Sequence, residues 1–181
     1  MNEKIGKILV SGERLAAHVK RLAAEIDRDY KDKKPLFICV LKGAFVFAAD
    51  LLRAVTIPAQ VEFMRVSSYG ADTVSSGNVQ IVQDTDLPIK GRHIILIEDI
   101  VDSGLTLASL KSLLEKRDAA SVRLCAMLDK PERREADIVP DYLGESIPNE
   151  FVVGYGLDYN EMFRELPCVA VLKPEVYVSS E

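Results

Sequence analysis

No stretch of this sequence approaches the roughly 20 consecutive apolar residues that a membrane-spanning helix requires. Met1 to Lys7 is polar and lacks the apolar centre of a secretory leader. These two absences set the expectation of a cytoplasmic protein with no membrane partner. Cysteine is scarce: Cys39, Cys125 and Cys168 lie far apart in apolar runs, odd in number and without metal-ligand spacing. They read as buried, reduced thiols. Positive charge is in deficit, with 23 Lys plus Arg against 28 Asp plus Glu, a formal charge of -5. Non-specific nucleic-acid binding needs a basic face, so no nucleic-acid partner is expected. A phosphate ligand would have to be met by locally gathered positive charge or by a metal ion. Internal repeats, linkers and low-complexity stretches are also lacking.

What remains is an ordinary globular composition, 48% apolar and 28% charged over 181 residues, enough for one domain with a real core. Ser11 to Tyr30 predicts an amphipathic helix, because Leu15, Val19, Leu22 and Ile26 recur at spacings of four and three. Leu36 to Leu41 predicts a buried strand, broken by Lys42-Gly43 and followed by a helix from Ala44 to Arg53. Val61 to Tyr69 and Val79 to Gln83 predict strands flanking a small, polar loop, Gly70 to Asn78. Pro88 and Gly91 mark a turn, and His93 to Ile97 predicts a central parallel strand. A helix from Leu105 to Lys116 places Leu107, Leu110 and Leu114 on one face, and Ser121 to Leu128 is the next strand. A charged connection, Lys130 to Asp137, precedes the last apolar runs, Phe151 to Gly154 and Cys168 to Leu172. Strands alternating with helices imply an α/β fold with a mostly parallel sheet, whose ligands sit beyond the carboxyl ends of the strands.

The run from Ile94 to Thr106 carries the chemistry. An apolar strand delivers Glu98 and Asp99 at its carboxyl end. Two adjacent acids there are unfavourable unless cations or hydroxyl donors compensate, and ribose hydroxyls with Mg²⁺ would do so. Asp102-Ser103-Gly104-Leu105-Thr106 then turns into a helix. Gly104 permits tight geometry, successive amides at the helix start form an anion nest, and Ser103 and Thr106 add hydroxyls. Acids for a sugar beside amides for a phosphate are the profile of a sugar-phosphate site. Taken singly, Glu98 and Asp99 could equally be solvated acids and Ser103 a helix cap. There is no Lys-Ser or Lys-Thr pair after a glycine loop and no glycine-rich dinucleotide fingerprint.

This run resembles the phosphoribosyl diphosphate (PRPP) motif of the type I purine phosphoribosyltransferases. The resemblance extends through Leu41-Lys42-Gly43, Ser67-Ser68-Tyr69-Gly70, Asp129-Lys130-Pro131 and the long segment from Phe151 to Glu161. It implies that residues 1–181 form a single domain: a mostly parallel central sheet flanked by helices, with a small hood subdomain built from N-terminal and C-terminal segments. It implies a Mg²⁺-dependent transfer of ribose 5-phosphate from PRPP to a purine base, hypoxanthine with guanine as a second substrate. The other small-molecule partners are then the nucleotide and pyrophosphate, and the assembly a homodimer or homotetramer.

By the same resemblance, Glu98 and Asp99 bind the ribose hydroxyls, in part through the metal, and Asp102 takes or stabilises the proton of the purine imidazole edge. Ser103, Gly104, Leu105 and Thr106 cradle the 5-phosphate; relatives often carry threonine at the first of these positions and some carry lysine at the third. Lys42 and Gly43 form the first pyrophosphate loop, where the peptide joining the two residues can be cis, and Arg164 pairs with the pyrophosphate. Ser68 and Tyr69 begin a lid that excludes water from a cationic sugar. Lys130 donates to the purine 6-oxygen, Phe151 stacks on the ring and Val152 reads the base through its main chain. Asp158, near the base, holds a Mg²⁺ that bridges pyrophosphate oxygens. His18 and His93 match no such position and read as structural. A regulator that binds PRPP without transfer, and a pyrimidine transferase, are the competing readings; Asp102 and Lys130 argue against the first, Lys130 and Phe151 against the second.

Overall fold

Three apolar strands carry side chains that alternate between two packed faces, and the rest of the molecule is arranged about them. In β2 (Leu36–Leu41), Phe37 and Cys39 join one core cluster while Leu36, Ile38 and Val40 join the other. In β5 (His93–Val101), Ile95 and Ile97 divide from Ile94 and Leu96 in the same way. In β6 (Ser121–Asp129), Cys125 and Met127 divide from Leu124 and Ala126. A sheet apolar on both faces must be covered on both, which is why parallel strands read as continuous hydrophobic runs. The computed structural model describes residues 3–68 and 79–177, so Tyr69 and the expected loop from Gly70 to Asn78 lie outside the described residues.

Helices α1 (Gly12–Asp29) and α2 (Phe45–Ala54) cover the first face, and α3 (Leu105–Lys116) covers the second. The Ser11 hydroxyl caps α1 by accepting the Arg14 amide at 3.2 Å. Leu15, Val19, Leu22 and Ile26 are all buried, as their spacing predicts. The central sheet has six strands in the order β4-β3-β2-β5-β6-β7, with β3 (Gln60–Ser68), β4 (Val79–Gln83) and β7 (Tyr142–Ser146). All neighbours pair parallel except β4, which runs antiparallel at one edge. A second sheet, ordered β1-β9-β8, joins an N-terminal strand (β1, Ile5–Val10) to two C-terminal ones (β8, Val152–Val153, and β9, Val169–Leu172). The four-residue α4 (Pro174–Tyr177) follows it. Among the described residues no helix is long and apolar enough to cross a membrane.

Two strands were invisible in the sequence. β1 carries Gly6 and Lys7, which leave only Ile8-Leu9-Val10 as an apolar run, and β7 carries Gly144 and Glu145, which leave none longer than two residues. A Cβ at Gly144 would lie 2.2 Å from the Met127 carbonyl, so β7 lies against β6 only with glycine there. Cys39 and Cys125 are buried, and burial pushes the Cys39 thiol up to about 12; Cys168 is half-buried, and all three are free. His18 pairs with Glu145 at 3.0 Å and His93 contacts the Ser121 hydroxyl at 2.8 Å, both structural contacts.

Strand β5 corrects the expected boundary at Ile97. It continues to Val101, because β6 runs alongside it and pairs with it through Ile100 and Val101. Glu98 and Asp99 therefore sit within a strand, and Asp99 is only 9% exposed. Asp99 Oδ1 accepts the Ile100 amide at 2.7 Å. Burial raises both carboxyls, and the charge of Asp99 beside it raises Glu98 further.

Two measurements follow from this packing. Leu22→Ala empties a site with no exposure and is expected to cost about 2–5 kcal/mol in urea unfolding; Lys20→Ala, on the exposed face of the same helix, should change stability by less than about 0.5 kcal/mol. For Glu98 the folded pKa lies above the unfolded one, so the folded state holds more protons between the two and stability falls as pH rises. Glu98→Gln removes that fall. In unfolding experiments with EDTA present, its advantage over the native protein should be largest at pH 8 and vanish near pH 4.

Candidate active site

Past Val101 the chain leaves β5 as Asp102-Ser103 and enters α3 at Gly104, whose φ of 80° is in the left-handed region. A Cβ there would also lie 2.6 Å from the Ile138 side chain. Among the described residues no side chain caps α3, and the Ser103 hydroxyl accepts only the Leu105 amide, at 3.4 Å. The helix start thus offers amides to an anion, as the order of residues predicts. The loop is braced from behind. Ser103 carbonyl accepts the Glu135 and Ala136 amides at 2.9 and 3.1 Å, and Arg134 Nε donates to the Asp102 carbonyl at 3.1 Å. The same guanidinium donates to the Ile138 carbonyl and to Asp129 Oδ1, so one arginine joins the ends of β5 and β6. Sequence reasoning passed over Arg134, because it lies in a segment that reads only as charged.

Two cavities open at these strand ends. One, of about 200 Å³, is lined by Glu98, Ile100, Asp102, Ser103, Gly104 and Thr106, with Val40 and Leu107. The other, of about 380 Å³, is lined by Ile100, Asp102, Lys130, Arg133, Phe151, Val152, Leu157 and Tyr177, with Asn149 and Glu150. Both are bordered by Ile100 and Asp102, so these two residues stand where they meet. Arg133 Nε approaches Asp102 Oδ1 at 2.8 Å, bent away from hydrogen-bond geometry, and that buried oxygen has no donor among the described residues. Lys130 is 7% exposed; burial pushes its ammonium down, while Asp102 nearby works in the opposite direction. Phe151 stacks against Tyr177 with centroids 5.0 Å apart and meets Tyr159 edge-on at 5.7 Å. Val152 is held in β8 opposite Val171.

A third group of predicted residues gathers around the loop after β2. The non-proline cis peptide is Leu41–Lys42, one bond earlier than expected. The chain turns on leaving β2 at Leu41, and Lys42 already belongs to the next turn, its carbonyl accepting the Phe45 amide at 3.2 Å. A Cβ at Gly43 would lie 1.6 Å from Asp99 Oδ2, and one at Gly156 2.0 Å from the Gly43 carbonyl. Gly156, like Arg134, carries no signature of its own in the sequence. Arg164 donates to the Gly156 carbonyl at 2.7 Å and pairs with Asp158 at 2.9 Å, while Lys42 pairs with Glu161 at 2.9 Å. Asp158 also accepts the Glu161 amide at 2.9 Å, so it faces this cluster, and Leu157 is its neighbour that lines the larger cavity. Among the described residues no three His, Cys, Asp or Glu side chains come close enough to hold a metal by themselves. Leu105 begins α3 as predicted. Ser68 ends β3 opposite Val79, and Tyr69 lies outside the described residues.

Comparison with known proteins agrees with this arrangement. The family model for the phosphoribosyl transferase domain matches residues 6–160. The chain is 50% identical over 179 residues to the hypoxanthine-guanine phosphoribosyltransferase of Bacillus subtilis, covering 99% of both chains. It is 48% identical to the enzyme of the same name from Streptococcus thermophilus, covering 98% of both. A crystal structure of a hypoxanthine phosphoribosyltransferase from Staphylococcus aureus superposes with a TM-score of 0.94 at 42% identity, covering 96% of this chain and 95% of that one. With its parallel sheet, its amide nest after β5 and its acids at that strand's end, this chain belongs to the phosphoribosyltransferase family.

Proposed function

We infer that the chain transfers the 5-phosphoribosyl group of PRPP to hypoxanthine, and to guanine, giving the purine nucleotide and pyrophosphate. The observation that carries this reading is the meeting of the two cavities at Asp102: a phosphate nest on one side, an aromatic and a buried lysine on the other.

Bond breaking at the anomeric carbon leaves positive charge on the ribose and sends negative charge out with pyrophosphate. Catalysis therefore requires a neutralised leaving group and a base nitrogen held in line. The amides of Ser103, Gly104, Leu105 and Thr106, with the Ser103 and Thr106 hydroxyls, hold the 5-phosphate and anchor the ribose. Glu98 and Asp99 accept the ribose hydroxyls. The purine lies between Phe151 and the end of β5, with its 6-oxygen toward the Lys130 ammonium. Val152 meets the edge of the base through its main chain. Asp102, whose Oδ1 is covered by Arg133 while the side chain as a whole stays 44% exposed, receives the imidazole proton on its open oxygen as the nitrogen attacks. Lys42, the Gly43 backbone and Arg164 bind the departing pyrophosphate. Ser68 and Tyr69 begin the lid over the ribose. The three-stranded β1-β9-β8 sheet, which supplies Val152, serves as the hood.

The donor set fits Mg²⁺: Glu98, Asp99 and Asp158 are hard oxygen ligands, and the first two, one half-buried and one buried, form an acid pair that a cation would relieve. Because the three do not converge, substrate and water oxygens would complete the shell. Bound there, Mg²⁺ neutralises diphosphate charge. We place the protein in the cytoplasm, in keeping with its three free thiols, as a homodimer or homotetramer; exposed Phe45, Val61 and Phe63 supply apolar surface for such an assembly.

Incubation with PRPP, Mg²⁺ and each of hypoxanthine, guanine, xanthine, adenine and uracil tests the reading: nucleotide and pyrophosphate should form with hypoxanthine and guanine. Failure with every purine would contradict it. Asp102→Asn should lower kcat by about 10²–10⁴ with little change in PRPP affinity; turnover near the native value would remove Asp102 as proton acceptor.

A further inference from the structure

One carboxylate near the pyrophosphate-binding cations has no part in the reaction as derived. Glu161 Oε2 lies 2.9 Å from Lys42 Nζ and 3.4 Å from Arg164 Nη2, so a single oxygen faces both. The backbone puts it there through two successive left-handed residues, Asn160 at φ 50° and Glu161 at φ 62°, a conformation that side-chain-bearing residues seldom adopt. The turn is fixed by the Glu161 amide donating to Asp158 Oδ2 at 2.9 Å. The cations are fixed too. Arg164 is tied to the Gly156 carbonyl and to Asp158, and Gly156 presses on the Gly43 carbonyl next to Lys42.

An oxygen that takes an ammonium and a guanidinium together makes the contact that a phosphoryl oxygen makes. Without it, Lys42 and Arg164 would face each other as like charges. With it, an incoming diphosphate meets cations already paired. The Glu161 side chain is 65% exposed, so it can turn into water at little cost, as surface ion pairs generally can. The exchange is reversible: when pyrophosphate leaves, the carboxylate can return to the same two partners.

We propose that Glu161 is a positioning residue that spans Lys42 and Arg164 when no diphosphate is bound, competes with diphosphate for them and is displaced by it. This rests on the assignment of Lys42 and Arg164 to the diphosphate. A residue that only propped the cations in place would have the opposite effect when neutralised: binding would weaken. The sign of the change therefore separates the two roles.

Titration calorimetry of the full chain with pyrophosphate and Mg²⁺ makes the test, using the native protein, Glu161→Gln, Lys42→Ala and the double variant, each checked for an unchanged unfolding transition. Glu161→Gln should bind pyrophosphate roughly two- to fivefold tighter and lower the KM for PRPP without raising kcat. Lys42→Ala should weaken binding, and the gain from Glu161→Gln should shrink in its background, because the two residues act on one another. Unchanged or weaker binding by Glu161→Gln, with Lys42→Ala still weakening it, overturns the competition and leaves the assignment of the cations standing. If Lys42→Ala leaves pyrophosphate affinity unaltered, the assignment itself fails and the proposal with it.

Discussion

There is no room for a side chain between Asp99 and the loop that follows β2. A Cβ at residue 43 would fall 1.6 Å from Asp99 Oδ2, and a Cβ at residue 156 would fall 2.0 Å from the Gly43 carbonyl. Two glycines thus let three separate chain segments lie against one another at the end of the central strand. The contact puts the buried Asp99 of β5 next to the Lys42 loop, and that loop next to the turn bearing Asp158, Glu161 and Arg164. A larger residue at either position would force these segments apart and separate the acids of β5 from Lys42 and Arg164.

The electrostatics of the site follow from that packing. Glu98 and Asp99 are pushed toward their protonated forms by burial, and Lys130 is pushed toward its neutral form for the same reason. Asp102 Oδ1 is buried against Arg133 Nε at 2.8 Å, without hydrogen-bond geometry to any donor among the described residues. The acids and the buried ammonium each cost the folded protein something, and under the proposed reaction each is relieved by its partner: ribose hydroxyls and a divalent ion for the acids, a carbonyl oxygen for the ammonium. Sites that depart from the rules of a comfortable interior in this way are where binding energy is available for catalysis.

The layout of the central sheet was legible because its signals are strong and local. α1 and α3 show their buried stripes at helical spacing, and β2, β5 and β6 show runs that only a doubly covered strand would carry. β1 and β7 were hidden because strands that bury little, or that hold glycine for close approach, lack such runs. Within the site, the order Glu98-Asp99…Asp102-Ser103-Gly104-Leu105-Thr106 was readable, and α3 starts at Leu105 as that order predicts. The strand boundary was misplaced since charge alone was taken to end β5, whereas pairing with β6 carries it to Val101. Arg134, Gly156 and the bridging place of Glu161 could not be read, because their importance lies in contacts between segments far apart in sequence. Lys130, a residue type usually found on surfaces, is buried beside Asp102, and only the family resemblance pointed to it.

The central claim is that two adjoining cavities, one on each side of Asp102, hold the phosphate and the base of a single nucleotide. A crystal structure of the complex with inosine 5′-monophosphate examines it most directly. The phosphate should lie against the amides of Ser103 to Thr106, with the hypoxanthine on Phe151, its 6-oxygen at Lys130 Nζ and its imidazole edge at Asp102. A nucleotide whose phosphate sat at Lys42 and Arg164, or whose base lay away from Lys130 and Phe151, would contradict it.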